Sequence, residues 1–246
     1  MSAAVAPRLS NAQTASVRAF AIRKLRRDEL PQHTVALTRY LIGKVVVHEL
    51  PQGRVSGRIV EAEAYPPGDP AGHHFRGPTP RIRSMYMAPG HAYVFFNYGA
   101  HFMLNVSSEP QGTAGGILIR ALEPIEGIAL MQKIRGMTEL RDLTCGPGRL
   151  AAALQITREH DGIDLTASPT LWLGEVLSSA AAAENTRRPP TIRRTVRIGI
   201  TRAANRVLRF YECGNAFVSG PKRLLASLAG GAQVRNGERK KCRARR

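Results

Sequence analysis

The sequence predicts an α+β fold, a single mixed domain in which a largely antiparallel sheet is flanked by helices and carries a β-hairpin. Three observations predict it. Apolar, strand-like runs come in pairs about short turns. Stretches of helical spacing are grouped between those pairs instead of alternating with single strands. No glycine fingerprint of a doubly wound dinucleotide-binding sheet occurs.

The elements follow in chain order. Residues 1–29 are rich in Ala, Ser and Arg with little periodicity, and carry a basic cluster at Arg23, Lys24, Arg26 and Arg27. They read as a disordered basic extension. The folded domain is expected over 30–231, with a basic tail over 232–246. Thr34 is placed to cap a short helix, VALTRYLI, and the strand KVVVHEL follows. The turn Pro51-Gln52-Gly53 sends the chain back through GRIVEAEAY. A Gly- and Pro-rich loop covers Pro66 to Pro80. HAYVFFNYGAHFMLNVSS holds two aromatic or β-branched runs about a Tyr98-Gly99 turn, a hairpin, and the strand GGILIRALEP comes next. Helical spacing over 124–136 and 147–156 starts each time at a proline, a residue suited to a first helical turn. TLWLG, TVRIGIT and LRFYE complete the strands.

Composition narrows the function classes. A chain of 246 residues, 43% hydrophobic, can bury one large core. It has no apolar run of about 18 residues, so no membrane span is expected. The N-terminal stretch lacks the basic start and apolar core of a secretory signal. Cys145, Cys213 and Cys242 are far apart without metal-ligand spacing, which fits a reduced intracellular compartment. There are 36 Lys and Arg against 18 Asp and Glu, a balance that favours a polyanionic partner, nucleic acid above all. The chain has no HExxH and no phosphate loop ending in Gly-Lys-Ser/Thr. The adjacent His73 and His74 point apart with no third ligand at a useful spacing, so neither a metal nor a cofactor is expected. CGPGRL can bring backbone amides near a phosphate, or be an ordinary loop opening a helix.

Chemistry concentrates at GRIVEAEAY. Alternation along a strand puts Glu61, Glu63 and Tyr65 on one face. That face is either the polar outer side of a half-exposed strand or a site. Arg120, inside the apolar run GGILIRAL, needs an acidic partner or solvent: a site carboxylate, Glu123 or another acid.

Four blocks taken together, VEAEAY, GHHFRGPTPRIRSMYM, PGHAYVFFNYGAHFMLNVSS and LIRALEP, resemble the alkyladenine (3-methyladenine) DNA glycosylase family in order and spacing. CGPGRL, RIGITR and LRFYECG resemble its later landmarks, so the likeness runs from about Leu30 to Gly220. The resemblance implies a curved sheet with a protruding hairpin, and an enzyme that flips damaged purines out of double-stranded DNA and hydrolyses the glycosidic bond. It implies Glu63 as the base that activates water, helped by the Arg120 guanidinium and the backbone carbonyl of Ile198. Glu61 falls outside that role and is read as structural. Tyr65, His74 and Phe95 are implied as the aromatics that sandwich the base, with His73 a bystander. Phe95 stands where a tyrosine is often found, so the ring is kept and the hydroxyl lost; alone, it would read as core packing. Asn105 is implied to crowd the amino group of normal guanine, and Tyr98 to fill the gap left in the duplex. Thr79, Arg81, Arg83 and Arg149 are candidates for the DNA backbone. The implied enzyme is monofunctional and monomeric. Its substrates are 3-methyladenine, 7-methylguanine, hypoxanthine and etheno-adenine. The alternative is a non-catalytic binder of distorted DNA or structured RNA that uses the same hairpin and basic face.

Overall fold

The computed structural model describes residues 21–97, 99–177 and 191–221. The strands are β1 (Ile22–Lys24), β2 (Val45–Leu50), β3 (Gly53–Tyr65), β4 (Ala92–Asn97), β5 (His101–Ser107), β6 (Gly116–Glu126), β7 (Leu171–Val176), β8 (Ile192–Thr195) and β9 (Arg209–Glu212). The α-helices are α1 (Thr34–Leu41), α2 (Ile128–Arg135), α3 (Leu140–Thr144) and α4 (Pro147–Ala153). The strands form one open mixed-order sheet, β1-β7-β2-β3-β6-β5-β4, whose ladders are all antiparallel. The short pair β8–β9 docks through β9 onto β3. The expected α+β class, with hairpins at β2–β3 and β4–β5, is what the chain adopts.

β3 is the axis of the domain. Its first half pairs with β2 and part of its second with β9, while β6 runs along its other edge from Ser56 to Tyr65. Val55, Ile59, Ala62 and Ala64 of β3 join Leu37 and Leu41 of α1, Ile117 and Ile119 of β6, and Leu150 of α4 in the main core. The β3–β6 ladder is irregular where the chemistry lies. Its register passes from Ile59↔Leu122 to Glu61↔Ala121 to Ala62↔Ile119, so first Val60 and then Arg120 have no residue opposite. Such bulges bend a strand and re-aim its side chains. Here they allow Arg120 to reach both Glu61 and Glu63.

Four expectations about elements change. Residues 21–29 belong to the fold, not to the extension assigned to 1–29. β1 pairs with β7, Leu25 is fully buried, and the basic cluster is partly consumed by ion pairs of Arg23 with Glu29 and Glu175 and of Arg27 with Asp164. Residues 1–20, and the boundary at 231 with the tail 232–246, lie outside the described residues. Thr34 is the first residue of α1, not its cap. Its amide and hydroxyl both donate to the buried Glu109 carboxylate, at 2.8 and 2.6 Å, so a distant acid satisfies the helix start.

Pro124 stays in β6 at a register shift opposite Gly57, where its missing N–H is tolerated. α2 starts only after Gly127, which holds φ 71° and lies so close to β3 that a Cβ would sit 2.3 Å from the Arg54 carbonyl. TVRIGIT is no strand beyond Thr195. β8 ends there, and residues 196–201 form a loop that crosses the sheet face beside Glu63.

Candidate active site

The second half of β3 delivers Glu63 and Tyr65 to one side of the sheet, as alternation requires. Glu63 is fully buried. Its Oε1 accepts the Ile198 amide at 2.8 Å and lies 3.3 Å from Arg120 Nη1, and its Oε2 accepts the Tyr65 hydroxyl at 2.9 Å. These three partners all line one open cavity of about 650 Å³. The carboxylate therefore stands directly behind the wall of a chamber large enough for a purine.

The electrostatics of these partners are set by burial and by the two acids. Burial pushes the Tyr65 hydroxyl well up, and the Glu63 charge pushes it further, so the phenol stays a donor. Burial alone would lower Arg120, but Glu63 and then Glu61 outweigh it and hold the guanidinium above its ordinary value. Arg120 also donates through Nε to Glu61 at 2.9 Å. The sequence left its partner open among a site carboxylate, Glu123 and another acid; it pairs with Glu61 and Glu63, while Glu123 takes Arg58.

Aromatic residues also line the cavity. Phe95 on β4 lines the cavity, packed edge-on against His73 with centroids 4.5 Å apart and offset on Tyr93 at 5.5 Å. Asn105 on β5 is buried, lines the same cavity and is held there by donating Nδ2 to the Tyr93 carbonyl at 3.1 Å. Arg76 and Arg202 complete the basic character of the lining.

The two adjacent histidines occupy different places. His73 lines the cavity; His74 does not, being buried with Nε2 2.9 Å from the Pro66 carbonyl. Adjacent residues in a 3-10 turn point apart, and the turn His73–Arg76 gives the cavity to the first of the pair. His73 Nδ1 lies 2.8 Å from the Tyr93 hydroxyl. Burial, with smaller contributions from Arg81 and His74, lowers His73 below its ordinary value. Burial likewise raises Tyr93, to about 12.

Residues 28–216 match the family described as methylpurine-DNA glycosylase (MPG). The chain belongs to that family. A protein of Mesorhizobium japonicum, provisionally named a 3-methyladenine DNA glycosylase, is 57% identical over 198 residues, 80% of this chain and 91% of its own length. Similarly named proteins of Paraburkholderia phytofirmans and Chlorobaculum tepidum are 48% and 40% identical, over 86% and 80% of this chain and 95% and 91% of theirs. Membership makes the protein a DNA glycosylase, an N-glycosyl hydrolase of DNA repair, with DNA as its partner.

Within this glycosylase the remaining candidates fall at different places. Thr79, Arg81 and Arg83 are exposed at the turn Pro80–Tyr86, where Arg81 reaches the Phe96 carbonyl at 3.4 Å. Arg149 is exposed on α4 and paired with Asp142. Tyr98, at the β4–β5 turn, lies outside the described residues. Ile198 touches Glu63 through its amide, whereas the role expected of it falls on its carbonyl.

Sequence reasoning passed over three groups. His73 was set aside for His74. Arg209 is fully buried and donates Nε to Glu61 at 2.6 Å, beside the Ser219 amide on the other oxygen, also at 2.6 Å. Arg197 places its guanidinium carbon 4.5 Å over the Tyr65 ring, with hydrogen bonds to the Ala64 carbonyl at 2.9 Å and Asp69 at 3.0 Å. A signal existed for the last two: each is an arginine inside an apolar run, which requires a buried acid. Among the described residues, no group of three or more His, Cys, Asp or Glu could hold a metal, and no helix is long and apolar enough to cross a membrane.

Proposed function

We propose that the protein removes alkylated and deaminated purines from duplex DNA by hydrolysis with water activated by Glu63. The observation that carries this reading is the buried Glu63 carboxylate behind a purine-sized aromatic cavity, held by Tyr65, Arg120 and Ile198. An ionised carboxylate offers about four acceptor positions, and three groups address this one. One Oε2 lone pair is left to take a proton from water. As the bond to the base breaks, the sugar gains positive charge, and the same carboxylate favours that charge across the cavity wall. Arg120 orients Glu63, and the Ile198 carbonyl is proposed to hold the water from its other side.

The damaged base leaves the stack and lies between Tyr65 on one side and His73 with Phe95 on the other. Extrusion costs a few kcal/mol, and stacking on aromatic rings returns roughly 1–3 kcal/mol per base. The Tyr93 hydroxyl lies 2.8 Å from His73 Nδ1; with Tyr93 as the donor of that bond, the imidazole proton sits on Nε2, where a purine acceptor can read it. Asn105 narrows the chamber against the amino group of normal guanine. Tyr98 fills the gap in the duplex from the minor groove. Thr79, Arg81, Arg83 and Arg149 engage phosphates, and one protein chain acts alone on the DNA of the bacterial chromosome. The VEAEAY motif offers no lysine at the position of the base, so the reaction stops at an abasic site without a Schiff base.

The test is incubation with duplex oligonucleotides bearing 3-methyladenine, 7-methylguanine, hypoxanthine or etheno-adenine, followed by hot alkali. Strand breaks at the lesion are expected for at least one of these. Tight binding of lesion duplexes with no breaks at any would favour the non-catalytic binder instead.

A further inference from the structure

Over the Tyr65 ring, and not among the residues that line the cavity, lies a charge that the hydrolysis does not use. Arg197 is 4% exposed as a residue and its side chain is fully buried. Its guanidinium carbon stands 4.5 Å from the ring centroid, within cation–π range. Asp69, also fully buried, pairs with it at 3.0 Å, and Arg206 approaches the same carboxylate at 3.5 Å. Asp69 is itself fixed by accepting the Ala71 amide at 2.8 Å. The result is a buried ion pair whose positive end lies against the Tyr65 ring.

A cation on one face of a ring draws on the same quadrupole that would attract a cation on the other. In a buried setting the two charges also repel through the ring with little screening. The other cations at the cavity, Arg76, Arg120 and Arg202, act in the same direction, and Glu63 opposes them. A flipped base carrying a positive charge, as a 7-methylated purine does, therefore loses at Tyr65 what a neutral base such as hypoxanthine keeps.

We propose that Arg197, acting through the Tyr65 ring, sets the discrimination of the cavity between cationic and neutral damaged purines, weakening capture of the cationic ones. The inference rests on the glycosylase reading above. Arg197 is a positioning residue, since it touches neither base nor water.

The experiment compares half-saturating protein concentrations in single-turnover excision from duplexes carrying 7-methylguanine or hypoxanthine. Arg197→Met is expected to shift the ratio roughly 3–10-fold in favour of 7-methylguanine, the scale of a cation–π contact. Arg197→Lys, which keeps the charge, is expected to hold the ratio near that of the unsubstituted protein. Removing the arginine alone strands Asp69, so Arg197→Met with Asp69→Asn supplies a second variant whose folding is checked by thermal melting. A merely structural Arg197 would weaken both duplexes together, and an unchanged ratio in a folded variant overturns the inference while leaving the glycosylase reading intact. Failure of the unsubstituted protein to excise either purine overturns that reading, and the inference with it.

Discussion

Glu61 and Glu63 lie two residues apart on one face of β3, both fully buried, yet their surroundings differ in kind. Glu61 is closed in by two arginines, Arg120 and Arg209, and by the Ser219 amide. Glu63 shares only Arg120 and completes its shell with neutral donors, Tyr65 and the Ile198 amide, at the back of the cavity. Of the groups on Glu61 only Arg120 lines that cavity, whereas all three on Glu63 do. Strand alternation makes the two acids equivalent. Tertiary partners separate them: one carboxylate is held by two cations and braces the sheet, while the other has a single cation and only partners that line the cavity. Arg120 joins the two, so the structural acid orients the arginine that orients the proposed base.

The largest expected effect breaks the comparison at Glu63. Glu63→Gln should slow single-turnover excision by roughly 10²–10⁴-fold from loss of the general base, with further loss of charge stabilisation, and should leave lesion binding intact. Glu61→Gln should act on stability. It leaves Arg209 and Arg120 facing an uncharged amide, a cost of about 3–5 kcal/mol. At roughly 2–4 °C per kcal/mol for a chain of this size, the melting temperature should fall by about 6–20 °C, read by circular dichroism. Excision by the folded fraction should change far less than in Glu63→Gln.

Next is a contrast between neighbouring histidines. His73→Ala should weaken lesion capture by roughly 1–3 kcal/mol, the scale of one stacking contact, seen as a rise in half-saturating protein. His74→Ala should leave capture near normal and lower stability by about 1 kcal/mol through its lost hydrogen bond to Pro66.

The smallest effect is on pH dependence. Burial depresses both His73 and His160 below 6.5 in the folded protein. Between those depressed values and 6.5 the unfolded chain binds protons that the folded one does not. Stability should therefore be complete above about pH 6.5 and decline as pH falls through that window, and His160→Gln should flatten part of the decline in denaturant titrations.

Much of this was legible in the sequence because it depends on local period. The β2–β3 and β4–β5 hairpins, the shared face of Glu63 and Tyr65, and Arg120's need for an acid all follow from alternation and from the cost of a lone buried charge. What was not legible depends on where distant segments meet. Thr34 looked like a cap because nothing in the sequence announces Glu109 as the acid at that helix start. Pro124 looked like a helix start because Gly127, pressed against Arg54, is a tertiary constraint. TVRIGIT has the composition of a strand, but Arg197 is drawn to Asp69 and the Ile198 amide to Glu63, which carries the chain out of the ladder. His73 and His74 cannot be told apart by type, and only the orientation of their turn assigns the cavity to the first.

Chemical rescue tests the central claim, that Glu63 supplies the base, most directly. Glu63→Ala opens space beside the cavity for a formate ion, a free carboxylate that can take the proton from water. With saturating protein on a lesion duplex it excises actively, the rate of this variant should rise by roughly tenfold or more with formate and stay flat in chloride of equal ionic strength. Glu63→Ala that excises at the unsubstituted rate without formate, or that responds alike to formate and chloride, would place the base elsewhere.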